Sequence, residues 1–167
     1  LIWAPHFSIN KENCIDNGHS SFFALYDGML DYALNNVDKV QIAFKPHPRL
    51  QTELYGLWGK EKTDSYYHMW ESMPNTQLVT GGYVDLFMTS DALVHECGSF
   101  IIEYLYSKNP CMYVLDNFDG FYSTMNKLGQ KALDLHYKGT SMSDVENFIQ
   151  DTRTCSMQHV LRYNLLS

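Results

Sequence analysis

The stretch Ala92-Leu93-Val94-His95-Glu96-Cys97-Gly98-Ser99 begins as an apolar run and ends in a turn of small residues. A helix is predicted to follow over 99–107, Lys108-Asn109-Pro110 ends it, and a second apolar run occupies 111–115. Two short apolar runs separated by a helix are typical of a βαβ unit, whose strands lie parallel in one sheet. The stretch therefore predicts an α/β fold.

The same alternation extends through the rest of the chain. Apolar runs and helical spacing predict strands over 1–5, 40–44 and 76–79, and helices over 20–35, weakly over 51–71, after Phe121 and over 143–151, with Ser143 as N-cap. The segment 84–88 is open to a short helix or a strand. We therefore predict a Rossmann-like, doubly wound, mainly parallel sheet with helices on both faces, formed by residues 1–167 as one domain.

The composition limits the partners of this domain. Hydrophobic residues make up 45% of the 167 and charged residues 19%, and the net charge is −7. An acidic chain repels nucleic acid, so no nucleic-acid partner is predicted, and a bound anion needs a local basic site. The cysteines Cys14, Cys97, Cys111 and Cys155 are widely spaced. We therefore predict no metal site, no cofactor, reduced thiols and a cytoplasmic location.

Basic residues follow the second predicted strand, where ligands of an open parallel sheet bind. In the loop Lys45-Pro46-His47-Pro48-Arg49, two prolines fix the position of His47, and Lys45 and Arg49 add positive charge. Such a loop is a candidate clamp for phosphate oxygens, and the alternative is a rigid turn with exposed basic residues. His6 follows the first strand and is placed at the same edge.

A second candidate lies where the strand at 92–95 ends. Gly98 allows close approach of a ligand, and the amides of Gly98 and Ser99 at a helix start favour a phosphate, although a plain helix cap is the alternative. Glu103, in the same helix, could reach the ribose of a nucleotide or be a surface glutamate. His95 is predicted to be a core histidine.

Several well-known sequence motifs are missing from the chain. It has no Walker loop, no Gly-x-Gly-x-x-Gly, no Gly-x-Ser-x-Gly and no His-Glu-x-x-His. Their absence argues against P-loop NTPases, dehydrogenases with the dinucleotide fingerprint, α/β-hydrolases and zincins.

Taken in order, the motifs that are present resemble the C-terminal domain of the CDP-glycerol glycerophosphotransferases, the teichoic-acid polymerase family with a GT-B fold. Ala4-Pro5 stands at the end of the first strand, as in that family, and Lys45-Pro46-His47-Pro48 matches its Lys-x-His-Pro motif. Glu103-Tyr104 and Asn109-Pro110 follow in register. The chain departs from the family at Glu96-Cys97-Gly98, where the family has Asp-Tyr-Ser, so one phosphate-binding hydroxyl is missing.

The resemblance implies transfer of a polyol phosphate, such as glycerol phosphate, from a CDP-linked donor to a lipid-linked polymer of the bacterial cell envelope, in teichoic-acid or capsule synthesis. It implies that an N-terminal domain absent from this chain holds the acceptor, and that the chain is the donor-binding part of a larger two-domain protein, inactive alone and peripheral at the inner face of the membrane. It makes His47 catalytic, as a donor to the pyrophosphate, and assigns donor binding to Lys45, Arg49, Glu96, Gly98, Ser99, Glu103 and His6.

Two alternatives stay open. The turn Cys97-Gly98-Ser99, with Glu103 and Pro110, is also similar to GT-B sugar-nucleotide enzymes, either glycosyltransferases or relatives of UDP-N-acetylglucosamine 2-epimerase. Preference for uridine or cytidine nucleotides would separate these enzymes from the phosphotransferases. The other alternative is a non-catalytic module in capsule assembly.

Overall fold

The computed structural model describes residues 1–9 and 20–154. In this part of the chain the strands are β1 (Ile2–Ala4), β2 (Ile42–Phe44), β3 (Thr76–Leu78), β4 (Leu93–His95), β5 (Cys111–Val114) and β6 (Tyr137–Gly139). The helices are α1 (Phe22–Asn35), α2 (Leu50–Trp58), α3 (Lys60–Ser72), α4 (Val84–Thr89), α5 (Phe100–Glu103), α6 (Phe118–Thr124), α7 (Lys127–Leu133) and α8 (Met142–Thr154). A 3₁₀ turn, Tyr104–Ser107, directly follows α5. The predicted α/β class is confirmed.

The strands form one parallel sheet in the order β3-β2-β1-β4-β5-β6. The chain builds outward from β1 to β3 and then returns to the other side of β1 to add β4, β5 and β6. This is the Rossmann order, and its direction reverses between β1 and β4. Loops that leave the carboxyl ends of β1 and β4 therefore diverge and leave a crevice between them.

Both faces of the sheet are buried, as the doubly wound prediction requires. Trp3 points into one core, where its ring lies 5.0 Å from that of Phe44 and 5.5 Å from that of Trp70. Its neighbours Ile2 and Ala4 point into the opposite core and pack with residues of α4 and α5. Alternation between two apolar cores explains why the strands are short, uninterrupted apolar runs.

A segment that the sequence predicts as one helix forms two helices in the structure. The segment predicted as a single weak helix over 51–71 is broken at Gly59, which separates α2 from α3 and has a φ of 79°. An L-residue rarely adopts that left-handed conformation, whereas glycine does so without steric penalty. The segment 84–88, which the sequence left open, lies in the helix α4.

The start of the last helix differs from the prediction. Ser143 lies inside α8, and the cap is formed instead by Ser141 and Asp144. The Asp144 carboxylate accepts from the backbone N–H of Ser141 at 3.0 Å, and Ser141 Oγ accepts from the N–H of Asp144 at 3.3 Å. This reciprocal pair is a capping box with aspartate in place of the usual glutamate. The sequence also gave no sign of β6, whose central residue is Lys138.

Candidate functional site

A cavity of about 410 Å³ opens at the carboxyl ends of β1, β2 and β4. It lies at the crevice that the strand order creates, which is where ligands bind in this class of sheet. Its wall brings together residues that are far apart in the sequence: His6, Lys45, Pro46, His47, Pro48, Thr80, Gly81, Gly82, Tyr83, Cys97, Gly98, Ser99 and Phe100. A second depression, of about 580 Å³, lies at the opposite edge, around the amino ends of the strands, away from the predicted site residues.

The loop after β2 fixes His47 at the cavity wall. The backbone N–H of His47 donates to the carbonyl of Pro5 at 3.0 Å, and that of Arg49 donates to Nδ1 of His47 at 3.1 Å. Burial lowers the pKa of His47, and the charges of Arg49 and Lys45 lower it further. At pH 7 the ring is therefore neutral, and its proton is on Nε2 because Nδ1 accepts a hydrogen bond.

Lys45 presents a buried cation to the same cavity. The side chain is 6% exposed and its ammonium lies 5.9 Å from the centre of the Tyr83 ring. Within residues 1–9 and 20–154 no carboxylate forms an ion pair with it. Burial lowers the pKa of Lys45, because a desolvated ammonium without a counter-ion is unfavourable. An anion in the cavity would supply the missing partner.

Gly98 and Ser99 form the wall opposite the Lys45 loop. A Cβ placed on Gly98 would meet no protein atom within 4 Å, and the φ of Gly98 is not left-handed, so neither the packing nor the backbone conformation of the protein requires glycine here. The amides of Gly98 and Ser99 donate to no group in the described part of the chain. The expected helix dipole is weak here, because α5 has four residues before the 3₁₀ turn. The free amides themselves are the donors available to a ligand.

Five of the residues predicted to bind the donor lie at the cavity wall, although they come from different segments of the chain. They are Lys45, His47, Gly98, Ser99 and His6. His6 lies beside His47, with ring centres 5.1 Å apart, and its Nδ1 is 2.9 Å from Ser8 Oγ. Their role in donor binding stays a prediction.

Arg49 and Glu103 lie outside the cavity wall, and their predicted contact with the donor stays a prediction. Arg49 is exposed, pairs with Glu53 at 3.0 Å and places its guanidinium 4.1 Å from the centre of the Phe7 ring. Glu103 is exposed and accepts a hydrogen bond from the Tyr83 hydroxyl at 2.7 Å. Glu103 is thus connected to the cavity through Tyr83.

Glu96 also differs from its predicted placement. Its side chain is 4% exposed and turns toward the start of α1, where the carboxyl accepts from the N–H of Ser21 at 2.6 Å and hydrogen-bonds Ser20 Oγ at 3.2 Å. Burial raises the pKa of Glu96 to about 8, and the hydrogen bonds from Ser21, His6 and Ser20 oppose that shift. The carboxyl lies under the loops that form the site and is absent from the cavity wall.

Comparison with known proteins identifies the architecture. No protein-family model matches the chain, and no curated protein sequence matches it. Among solved structures, it is similar to UDP-GlcNAc 2-epimerase from Methanocaldococcus jannaschii in complex with UDP-GlcNAc and UDP, with a TM-score of 0.57 and 15% identity. The match covers 90% of this chain and 38% of the epimerase chain. The chain has the fold of one GT-B half.

In this GT-B-like half, the loop after β3 contributes residues that the sequence analysis did not select. Thr80, Gly81, Gly82 and Tyr83 line the cavity, and a Cβ on either glycine would meet no atom within 4 Å. Two adjacent glycines, which begin three residues after the end of β3, were the available signal in the sequence. Tyr83 connects three parts of the site, since its ring lies beside Lys45 and Phe100 and its hydroxyl holds Glu103.

His95 is confirmed as a core histidine. It is buried, its Nδ1 lies 3.2 Å from the Cys97 carbonyl oxygen, and its ring centre is 5.2 Å from that of His136. Cys97 and Cys111 are free thiols, while the other two cysteines lie outside the described residues. Within residues 1–9 and 20–154, no group of three or more histidine, cysteine or acidic side chains is arranged to hold a metal ion, and no helix is long and apolar enough to span a membrane.

Proposed function

We propose that this chain binds the diphosphate of a nucleotide-activated donor, as the donor-binding half of a GT-B sugar-nucleotide enzyme. The observation that carries the proposal is the Lys45 side chain, which is 6% exposed and has no ion-pair partner among residues 1–9 and 20–154, at a cavity whose other donors are His47 and the amides of Gly98 and Ser99. A desolvated cation and several free donors facing one space are complementary to an anion rich in acceptor oxygens.

The spacing of the donors favours a diphosphate over a single phosphate. Lys45 and His47 follow β2, whereas Gly98 and Ser99 follow β4, and β1 lies between those two strands. Neighbouring strands are about 4.8 Å apart, so the two walls of donors start roughly 10 Å from each other. A diphosphate lying across the end of β1 can reach both walls at once, while one phosphate group would leave one wall without its partner.

The state of His47 suits a leaving nucleotide. A neutral imidazole that donates from Nε2 can hydrogen-bond an oxygen of the diphosphate without first losing a proton. Negative charge grows on that oxygen when the bond to the transferred group breaks. Preorganised donors next to the growing charge stabilise the transition state more than the ground state, and Lys45 adds a full positive charge to the same end of the cavity.

The sugar nucleotide is the first candidate donor, because the structural neighbour is a UDP-GlcNAc 2-epimerase in complex with UDP-GlcNAc and UDP. The second candidate is a CDP-polyol used in polyol-phosphate transfer to a cell-envelope polymer. The position of the loop Lys45-Pro46-His47-Pro48 at the cavity wall favours it, since that loop carries the resemblance to the phosphotransferases. For both candidate donors we propose that the rest of the active site lies on a further domain. That domain would bind the acceptor and determine which acceptor is used.

Calorimetric titration of the chain with UDP-GlcNAc, UDP, CDP-glycerol and CMP tests the proposal. We expect the diphosphates to bind and the affinity to fall in His47→Ala and Lys45→Met. Preference for uridine compounds supports the sugar-nucleotide enzyme, and preference for CDP-glycerol supports the phosphotransferase. If no diphosphate binds, or if both variants bind as the wild type does, the proposed site is wrong.

A further inference from the structure

The ring of Phe7 contacts two histidines and an arginine at the edge of the cavity. Phe7 follows β1, and its ring centre lies 4.3 Å from that of His6 and 4.4 Å from that of His47. The guanidinium carbon of Arg49 lies 4.1 Å from the centre of the same ring. Phe7 itself is half-buried and does not belong to the cavity wall. It therefore contacts wall residues without lining the space that a ligand would fill.

Backbone hydrogen bonds determine the position of Phe7. The N–H of Lys45 donates to the Trp3 carbonyl at 2.8 Å. Two residues further along both segments, the N–H of His47 donates to the Pro5 carbonyl at 3.0 Å. These bonds continue the parallel pairing of β1 and β2 into the loops that follow the two strands. Phe7, two residues beyond Pro5, is thus held against the loop that carries His47, and it also packs against the largest hydrophobic core.

Hydrogen bonding alone does not fix the orientation of the His47 ring. Within residues 1–9 and 20–154, the ring makes one hydrogen bond, which Nδ1 accepts from the N–H of Arg49. That bond selects the tautomer with the proton on Nε2, but it leaves the side-chain torsions able to change. Of the two aromatic rings beside His47, that of Phe7 is the nearer, since the His6 ring centre is 5.1 Å away. Packing by Phe7 is therefore the second restraint on the imidazole.

The contact with Arg49 favours an aromatic side chain at position 7. A guanidinium over the face of a phenyl ring is attracted by the ring's quadrupole, and an aliphatic side chain of similar size offers no such attraction. The Arg49 side chain also pairs with Glu53 at 3.0 Å. These two contacts keep the guanidinium beside Phe7, while the backbone N–H of the same residue donates to His47. A flat ring at position 7 thus packs on both sides of one hydrogen bond.

We propose that Phe7 is a positioning residue of the cavity, whose aromatic ring holds the imidazole of His47 so that its Nε2 donor stays at the cavity wall. Phe7 acts through His47 and touches no ligand itself. The identity of the ligand that receives this donor rests on the proposed function, whereas the packing of Phe7 on His47 does not. Because a flat face makes the contacts, an aromatic ring should matter more than apolar bulk.

The variants are chosen to separate an aromatic ring from apolar bulk. Phe7→Leu keeps most of the apolar volume and removes the flat ring, whereas Phe7→Tyr keeps the ring. Phe7→Met, a second side chain without a ring, covers the case that Phe7→Leu fails to fold. Phe23→Leu is the matched control, because Phe23 is also a partly exposed phenylalanine among aromatic rings but lies on α1 beside Tyr26 and Trp58.

The first measurement is NMR at pH 7.5 without any nucleotide. In the wild type we expect the imidazole ¹⁵N resonances of His47 to show one tautomer, with the proton on Nε2, and the ring to be as rigid as the backbone. In Phe7→Leu the ring should become mobile, and its resonances should move toward the average of the two tautomers. Phe7→Tyr and Phe23→Leu should keep the wild-type signals. A His47 ring that is equally rigid in Phe7→Leu, or equally mobile in Phe7→Leu and Phe7→Tyr, would overturn the proposal.

The second measurement is a double-mutant cycle on the affinity for UDP. We expect Phe7→Leu to weaken binding roughly fivefold, as part of one hydrogen bond is lost, and Phe7→Tyr to bind as the wild type does. In a His47→Ala background, Phe7→Leu should have no further effect, because the residue that it positions is gone. An equal loss in both backgrounds would refute a role that runs through His47. If UDP does not bind but the NMR responses appear as stated, the positioning role of Phe7 stands and the proposed function is rejected.

Discussion

The backbone N–H of Arg49 donates a hydrogen bond to Nδ1 of His47 over 3.1 Å. Arg49 therefore acts on His47 through its backbone, while its guanidinium lies on Phe7 and pairs with Glu53. One consequence is that the side chain of Arg49 can be changed without changing the tautomer of His47. Another is that His47 presents a fixed Nε2 donor at pH 7, because burial and the nearby cations keep its pKa low.

Replacement of His47 by alanine should weaken UDP binding by about 10- to 100-fold, the range expected when a hydrogen bond to a charged group, worth about 1.5–3 kcal/mol, is lost. Calorimetry at pH 7.5 measures the change. His68→Ala is the control, because His68 is exposed on α3 next to Glu71 and should leave affinity unchanged. Equal affinities of the wild type and His47→Ala would remove His47 from the site.

Lys45→Met should raise stability and lower affinity at the same time. Methionine is similar in length to lysine but carries no charge, so the variant removes a desolvated ammonium that has no ion-pair partner among the described residues. We therefore expect the free energy of unfolding to rise by about 1 kcal/mol. UDP should bind at least roughly tenfold more weakly, since the charge on the diphosphate loses its partner. Urea unfolding and calorimetry give the two numbers. Lys60→Met, which removes an exposed pair with Asp64, should change neither by much.

The substitution Gly98→Ala tests whether ligand binding requires glycine at this position. The added methyl group meets no protein atom within 4 Å, and the φ of Gly98 is not left-handed, so the free energy of unfolding should stay the same or rise by about 0.4–1 kcal/mol. A diphosphate on the Gly98 and Ser99 amides would meet that methyl group, and affinity should fall roughly tenfold. Gly56→Ala, in α2 and equally open, is the control that should keep wild-type affinity. Unchanged UDP binding in Gly98→Ala would place the ligand elsewhere.

Many residues of the cavity wall can be predicted from the sequence, because the fold itself brings the residues that follow the strands to one edge of the sheet. Apolar runs that end in Pro5, in Lys45-Pro46 and near Gly98 predict strands, and strands joined by helices must lie parallel. The carboxyl ends of parallel strands share one edge, so residues that follow them must gather there. His6, His47 and Ser99 could therefore be brought together before any coordinates were known.

Side-chain direction could not be predicted in the same way. Glu96 lies one residue beyond β4, where the alternation of a strand no longer fixes which way a side chain points, and its carboxyl turns under α1 instead of into the cavity. Tyr83 was missed because it follows a turn and shows no charge or motif. The strand β6 was missed because Tyr137-Lys138-Gly139 is too short and too polar to form an apolar run.

The buried pair His95 and His136 should make the protein sensitive to acid. Burial lowers the pKa of both, that of His136 to about 4, and each Nε2 is buried without a hydrogen-bond partner in the described part of the chain. Because the native pKa values lie below the unfolded value of about 6.5, the unfolded state binds protons first. The stability that these groups contribute is complete above that pH, and it is lost as the pH falls through the native values.

His136→Asn should flatten the acid side of the stability profile. Its amide nitrogen can still donate to the Ala132 carbonyl, which Nδ1 of His136 contacts at 2.9 Å, but it cannot take up a proton. Between pH 6 and 4.5 the free energy of unfolding of the wild type should fall more steeply than that of the variant, by up to about 1.4 kcal/mol per pH unit for one proton. Urea unfolding at pH 7.5, 6 and 4.5 measures both slopes, with His68→Asn as the exposed control. Glu96 acts with the opposite sign, since its raised pKa removes stability as the pH rises from about 4.5 to about 8, but both proteins contain Glu96 and its contribution cancels in the difference between them. Equal acid slopes in the wild type and His136→Asn would mean that His136 is not the group that titrates.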